Sequence, residues 1–103
     1  MLKKRIIANL TLLNGIVVQS KGFNKYLPIG KPEIAVEFLN QWGIDEIIIS
    51  DISASSESSE PLFDVYKNLS FKCNVPLTIG GGIKSIDDIR GLLNVGADKI
   101  LIN

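Results

Sequence analysis

Three consecutive glycines, Gly80, Gly81 and Gly82, are the residues best suited in this sequence to hold an anion. They follow a short apolar run and precede Ser85, a residue type that caps helices. Backbone without Cβ atoms lets N–H groups approach a phosphate closely, and a helix N-terminus favours negative charge, so this arrangement predicts a phosphate site. A plain tight turn is the alternative interpretation, since glycine-rich turns are common.

A carboxylate, Asp51, directly follows the apolar run at residues 47–50. At the end of a strand it can accept hydrogen bonds from the hydroxyl groups of a substrate, or it can cap the turn that follows. The residues alone leave these two roles equally open.

The residue types that the chain lacks narrow its chemistry. It has no histidine and a single cysteine, Cys73. This excludes disulfide frameworks, the usual zinc ligand sets and every histidine-based mechanism. Any acid–base step must therefore use carboxylates or lysines, and we expect neither a metal nor another cofactor.

Composition and charge are those of a soluble globular chain with at most one domain. Of 103 residues, 46% are hydrophobic and 21% are charged, with eleven basic and eleven acidic side chains. No basic block indicates nucleic-acid binding, and no apolar run reaches the roughly 18 residues of a membrane span. The N-terminus also lacks the apolar core of a signal peptide. We therefore expect a cytoplasmic protein that binds neither nucleic acid nor membranes.

The elements that must hold these residues alternate along the chain. Four runs rich in isoleucine, leucine and valine predict strands that are buried on both faces and hence parallel, at residues 5–13, 47–50, 77–79 and 100–102. Three segments of helical period lie between them, at residues 32–42, at 62–69, and from Ser85 onward, where Asp88 completes a capping box. Asn14 and Gly15 predict a hairpin inside the first connection. The predicted order is βαβαβαβ.

An internal repeat favours a barrel. Residues 43–50 match residues 96–103, and each copy holds a glycine, a charged pair and an apolar strand. Duplicated βα units suit a (βα)8 barrel better than an open doubly wound sheet, and four strands are half of such a barrel. We therefore predict that residues 1–103 are an incomplete α/β domain, the N-terminal half of a TIM barrel with four parallel strands and three crossover helices. Its open edges favour self-association or a partner half.

Four segments together resemble the cyclase subunit of imidazole glycerol phosphate synthase: residues 4–7, 51–55, 80–85 and 96–100. The resemblance extends from Met1 to Asn103. In that family a glutaminase subunit docks on the barrel floor and ammonia travels through the barrel. At the opposite end it reacts with a bis-phosphorylated ribulosyl formimino carboxamide ribotide, giving imidazole glycerol phosphate and an aminoimidazole carboxamide ribotide. The resemblance implies a lyase of histidine biosynthesis with a glutaminase partner, although we expect the 103-residue chain alone to be inactive.

The resemblance also implies roles for charged residues at the strand starts. Arg5, Glu46 and Lys99 match three members of the family's four-residue salt-bridged gate at the ammonia entrance. We place Glu46 and Lys99 on neighbouring strands. Sequence physics alone would make these residues a solvated barrel floor.

At the other end of the strands, the resemblance implies contacts with a phosphorylated small molecule. Gly82 and Asn103 match positions of one phosphate site in the family. Asp51 matches a carboxylate that contacts the substrate.

The sequence departs from the family at three positions. Thr11 stands where the family has its general acid–base aspartate, Asn9 replaces a cysteine, and Gln19 replaces a lid lysine. A threonine hydroxyl does not ionise near neutral pH, so it cannot exchange protons as a carboxylate does. Three functions stay open: a histidine-pathway cyclase, a relative that channels ammonia for amidation of a surface sugar, and a non-catalytic phosphate-binding half-barrel.

Overall fold

The computed structural model describes residues 3–21, 25–52 and 62–102. Its elements, in chain order, are β1 (Ile7–Leu13), β2 (Ile16–Lys21), β3 (Lys25–Gly30), α1 (Pro32–Gln41), β4 (Glu46–Asp51), α2 (Phe63–Lys72), β5 (Leu77–Gly80), α3 (Ile86–Asn94) and β6 (Lys99–Leu101). The predicted alternation of strands and helices is present, but two further strands, β2 and β3, precede α1.

Within the described residues, these strands form a six-stranded sheet in the order β3-β2-β1-β4-β5-β6. The strands β1, β4, β5 and β6 pair in parallel, with helices in the connections between them. The strands β2 and β3 pair antiparallel and extend the sheet beyond β1. The described part of the chain thus confirms the predicted α/β half-barrel of four parallel strands and three crossover helices.

The hairpin predicted from Asn14 and Gly15 joins β1 to β2. Both residues have positive φ angles, 52° and 81°, as a type I′ turn requires. The sequence did not predict β3, since Pro28 lies within it and proline cannot donate a ladder hydrogen bond. In the described sheet β3 is an outermost strand, where a missing N–H is tolerated.

Two helices, α1 and α3, begin where the sequence signals place them. Pro32 starts α1, at a position where its missing N–H has no helical partner. At the start of α3 the Asp88 N–H donates to Ser85 Oγ at 3.1 Å, as predicted. The Asp88 carboxylate accepts the N–H of Lys84 at 2.9 Å, one residue before the N–H that the capping box predicts. Among the described residues, no helix combines the length and the apolar character needed to cross a membrane.

The hydrophobic core lies between the described helices and one face of the sheet. Its most deeply buried members come from both layers: Leu12, Val36, Ile47, Ile49, Tyr66, Leu69, Leu77, Ile79 and Leu92. Burial alternates residue by residue along β4, as it does in a strand with one well-covered face. The core is therefore formed by packing of the helices onto this single face.

The opposite face of the parallel strands is here called the open face. Register and alternation assign it these residues: Arg5, Ile7, Asn9, Thr11, Glu46, Ile48, Ser50, Thr78, Lys99 and Leu101. The prediction that the strands are buried on both faces is wrong for β1 and β6, since Ile7 is 48% and Leu101 is 50% exposed. Apolar side chains at these positions would lie in the interior of a complete barrel, and no described element covers them here.

Two aspartates at equivalent positions of the repeat make equivalent contacts. Asp45 accepts the N–H of Ile6 at 2.8 Å through Oδ2, and its own N–H donates to the Ile6 carbonyl at 3.0 Å. Asp98 makes the same two bonds with Leu77, both at 2.8 Å. Each of these aspartate clamps ties the start of one parallel strand to the strand beside it. The sequence repeat therefore has a structural counterpart.

Candidate functional site

A cavity of about 580 Å³ opens at the carboxyl ends of the parallel strands. Its lining comes from the ends of β4 and β6 and from the turn after β5: Ser50, Asp51, Ile52, Gly80, Gly81, Gly82, Ile83, Lys84, Leu101 and Ile102. The structure thus brings together Asp51 and the three glycines, which the sequence predicts separately as site residues. Ligands bind at this end of the strands in barrel enzymes. Asn103 lies outside the described residues, so its place in a phosphate site stays a prediction.

The turn at Gly80, Gly81 and Gly82, here called the glycine turn, requires glycine. Gly81 and Gly82 have φ angles of 98° and 69°, in the left-handed region that other residues avoid. A Cβ atom on Gly81 would overlap the carbonyl oxygen of Asp51, and one on Gly80 would lie 2.9 Å from Cβ of Leu101. The tight turn and its close packing are therefore sufficient to explain why these residues are glycines. The cavity beside them also leaves room for an anion.

Two N–H groups at the start of α3 are already engaged. The N–H groups of Lys84 and Asp88 donate to Asp88 Oδ2 and Ser85 Oγ respectively. Asp87 and Asp88 also place negative charge in the first turn of α3. The glycine turn and Lys84 both line the cavity and are therefore the candidates to contact an anion there.

Asp51 is buried and faces the helices. It is 2% exposed, and the Tyr66 hydroxyl of α2 donates to its Oδ2 atom at 3.1 Å. Burial, together with the charge of Asp51 and the hydrogen bond to it, raises the pKa of Tyr66 well above its ordinary value. The predicted contact of Asp51 with substrate stays a prediction. The sequence did not single out Tyr66 as a site residue, because it lies within the helical segment predicted at residues 62–69.

The charged residues at the amino ends of the strands, which the sequence predicts on the barrel floor, form an ion cluster. Glu46 Oε1 accepts from Arg5 Nη1 at 2.9 Å and from Lys99 Nζ at 3.4 Å. The Glu46 side chain is 12% exposed, whereas each cation is 61% exposed. The prediction that Glu46 and Lys99 lie on neighbouring strands is wrong, because β5 lies between β4 and β6. The long lysine side chain reaches across the intervening strand.

The carboxyl end of β1 carries neutral polar groups. Thr11 is paired with Ser50 across the sheet, and Ser50 Oγ donates to Asn9 Oδ1 at 3.1 Å. Among the residues assigned to the open face, Glu46 is the one with a carboxylate. It lies at the amino ends of the strands, opposite the end that carries Thr11. The part of the chain that the structure describes contains no group of three or more acidic, cysteine or histidine side chains able to hold a metal ion.

Residues 5–103 match the family described as histidine biosynthesis protein. The chain belongs to this family. Within the histidine biosynthesis protein family, the whole chain is 48% identical to a Vibrio vulnificus (strain YJ016) protein provisionally named imidazole glycerol phosphate synthase subunit hisF2. It is 44% identical to imidazole glycerol phosphate synthase subunit HisF of Clostridium botulinum (strain Kyoto / Type A2) and 43% identical to that of Methanococcus maripaludis (strain C5). These matches confirm the resemblance found in the motifs.

The chain spans only part of each of these family members. It covers 38% of the Vibrio vulnificus protein, 41% of the Clostridium botulinum protein and 38% of the Methanococcus maripaludis protein. The activity, substrates and partners of the whole proteins therefore come to this chain only as proposals.

Proposed function

We propose that this chain is the amino-terminal part of an ammonia-using subunit of the imidazole glycerol phosphate synthase type, acting in histidine biosynthesis. Ammonia from a glutaminase partner would convert a phosphoribulosyl formimino carboxamide ribotide into imidazole glycerol phosphate and an aminoimidazole carboxamide ribotide. Family membership and the names of the relatives support this proposal. The proposal also includes a cytoplasmic location for the protein.

One observation carries the proposal: the ion cluster and the cavity lie at opposite ends of the same parallel strands. β4 connects them directly, since Glu46 is its first residue and Asp51 its last. At about 3.3 Å per residue, the two ends are roughly 16 Å apart. A small molecule that enters beside Glu46 can follow the open face to a substrate held in the cavity.

The ion cluster has the charge pattern of a gate for neutral ammonia. Arg5 and Lys99 surround the Glu46 carboxylate with positive charge that is well exposed at the amino end of the sheet. Like charges repel, so ammonium is disfavoured there while ammonia is not. A glutaminase docked at this end would release ammonia next to the cluster.

The cavity has the features of a site for a phosphorylated substrate. The glycine turn brings backbone without Cβ atoms to its wall, and Lys84 adds a positive charge. Leu101, Ile102 and Ile52 supply apolar surface beside them. A phosphate group at the glycine turn would hold the rest of the substrate over the open face, where ammonia arrives.

A second candidate function is ammonia delivery for the amidation of a surface sugar. The neutral set of Thr11, Asn9 and Ser50 favours it, because threonine cannot serve as the acid–base group of the cyclisation. Delivery of ammonia to a separate enzyme needs no proton transfer at this point. The third candidate, a non-catalytic phosphate-binding half-barrel, uses only the glycine turn. In all three, a partner half or a second copy would cover the open face.

The test is a chimera in which this chain is joined to the remaining length of the Clostridium botulinum relative. Supplied with the ribotide and ammonium salt at alkaline pH, the chimera is expected to form little imidazole glycerol phosphate because of Thr11. Thr11→Asp should raise the rate by up to about a hundredfold, the low end of the roughly 10²–10⁴-fold that a well-placed acid–base group supplies. Product is measured by chromatography.

The outcomes separate the candidates. Turnover that rises with Thr11→Asp supports the cyclase scaffold, and rapid turnover without the substitution shows that Thr11 is no obstacle. If neither form makes product, yet both increase glutamine hydrolysis by the Clostridium botulinum glutaminase partner, ammonia delivery is the function. A chimera that folds but affects neither reaction would leave only the phosphate-binding role.

A further inference from the structure

Tyr66 links α2 to the rim of the cavity through a buried hydrogen bond. Its hydroxyl donates to Asp51 Oδ2 at 3.1 Å, and the two residues are 1% and 2% exposed. A hydroxyl and a carboxylate in an apolar core are costly without partners, so this bond favours one arrangement of both side chains. The position of Asp51 therefore depends on a residue of the helix layer.

Asp51 in turn borders the glycine turn. Its carbonyl oxygen lies so close to Gly81 that a Cβ atom there would overlap it. Asp51 and Gly81 also line the same cavity. Because Gly81 lies against this carbonyl oxygen, a shift of the Asp51 backbone towards the turn moves the peptide groups of the glycine turn.

The direction of the Asp51 side chain separates this role from direct contact with substrate. Asp51 is paired with Leu12 and continues the buried series of Ile47 and Ile49, so its carboxylate lies on the helix side of the sheet. Ser50, one residue earlier, lies on the open face. The Asp51 carboxylate thus faces α2, and its backbone faces the cavity rim.

We propose that Tyr66 is a positioning residue of the anion site: by holding Asp51, its hydroxyl sets the distance between the end of β4 and the glycine turn. This inference rests on the proposed phosphate site. It gives α2, which has no residue in the cavity wall, a part in ligand binding. Tyr66 acts through Asp51 and does not touch the ligand.

The first measurement needs no ligand. Amide ¹H–¹⁵N spectra of the 103-residue chain are compared for the unchanged protein, for Tyr66→Phe, and for Val36→Ala, a fully buried change in α1. We expect the amide signals of Gly81 and Gly82 to move in Tyr66→Phe and to stay in place in Val36→Ala. Signals that stay in place in both variants, or move equally in both, would overturn the inference.

The second measurement is calorimetry with inorganic phosphate. Tyr66→Phe should weaken binding about fivefold, the effect of losing roughly one net hydrogen bond. The double variant with Asp51→Asn should bind no more weakly than Asp51→Asn alone, since Tyr66 acts through Asp51. Additive losses, or unchanged affinity in Tyr66→Phe, would contradict the positioning role.

A pair of glycine variants distinguishes failure of this inference from failure of the proposed site. Gly82→Asp should abolish phosphate binding, whereas Gly43→Asp introduces the same residue at a comparable φ angle, 77° against 69°, far from the cavity. If phosphate binds and only Gly82→Asp removes it, the site stands whatever Tyr66→Phe does. If the unchanged chain binds no phosphate, the site fails, and the amide signals alone decide whether Tyr66 positions the turn.

Discussion

Glu46 is the residue on which the ion cluster depends, because it accepts from both cations through the same oxygen. Glu46→Gln keeps the shape of the side chain and removes its charge. In the Thr11→Asp chimera joined to a glutaminase partner, we expect Glu46→Gln to leave glutamine hydrolysis in place while less of the ammonia is used. The ratio of glutamate released to ammonia incorporated should rise severalfold.

A matched control for this change lies on the outer surface. Glu37 pairs with Lys72 at 2.8 Å between α1 and α2, so Glu37→Gln also removes one carboxylate from an ion pair. It should leave the ratio unchanged. A ratio that does not respond to Glu46→Gln would remove the gate interpretation, and an equal rise in both variants would assign the effect to net charge.

Tyr66 makes stability depend on pH at the alkaline end. Its pKa is raised in the folded protein, mainly by burial and also by the charge of Asp51 and the hydrogen bond to it. The stabilisation is therefore complete below pH 10, where tyrosine of the unfolded chain is protonated, and it is lost as pH rises above that value. Above pH 10 the tyrosine ionises in the unfolded chain but stays protonated in the folded one. We expect this to lower the free energy of unfolding by about 1.4 kcal/mol for each pH unit.

The measurement is denaturant unfolding of the unchanged protein and of Tyr66→Phe between pH 9 and pH 12. Other groups titrate in this range, so the difference between the two slopes isolates Tyr66. The variant should be less stable at pH 9, because Asp51 loses a donor, and should lose stability less steeply above pH 10. Parallel slopes would show that Tyr66 ionises freely in the folded chain.

At the scale of elements, the aspartate clamps hold neighbouring strands in register. Asp98→Ala removes the carboxylate that accepts the Leu77 N–H, and we expect the free energy of unfolding to fall by about 1.5 kcal/mol. Urea unfolding measures the change. Glu37→Ala removes only an exposed ion pair and should cost at most about 0.5 kcal/mol. Equal losses of stability in the two variants would contradict a stabilising role of the clamp.

The sequence was sufficient for the elements that local pattern controls. Runs of isoleucine and leucine predicted β4 and β5, and Ser85 with Asp88 located the start of α3. The strand β3 was missed because Pro28 argues against a strand unless its edge position is known. Burial on both faces was wrongly predicted for β1 and β6, since an apolar run does not indicate what covers it.

The candidate site was predictable where the type of a single residue indicates its chemistry. The glycine turn and Asp51 both line the cavity, as expected of residues at strand ends. The bond between Tyr66 and Asp51 was not predictable, because it joins a helix to a strand across the core and follows only from how the two layers pack. The ion pair between Lys99 and Glu46 was expected, but not its reach across β5.

At the scale of the whole molecule, the open face favours association. It carries Ile7 and Leu101, each about half exposed, among polar groups on one side of the sheet. We expect the 103-residue chain to self-associate, with a mass by sedimentation that rises with protein concentration. Ile7→Lys should shift the distribution towards monomer, because it places a charge on the contact surface.

Ile34→Lys is the matched control for the open face. Ile34 lies on α1 and is 51% exposed, close to the 48% of Ile7, but it belongs to the helix layer. It should leave the association unchanged. If both lysine variants dissociate the protein equally, association depends on general hydrophobicity and not on the open face.

The two aspartate clamps also bear on how the nascent chain assembles. Asp45 follows Ile6 by 39 residues and Asp98 follows Leu77 by 21 residues. Ribosomes add about 5–20 residues per second, so the start of β1 waits roughly 2–8 seconds for its clamp. Each clamp is supplied by the unit synthesised after the strand that it fixes. Translation therefore makes the two clamps available in order, that of Asp45 before that of Asp98, and a pause in synthesis between them leaves Leu77 without its clamp when the partner of Ile6 is already present.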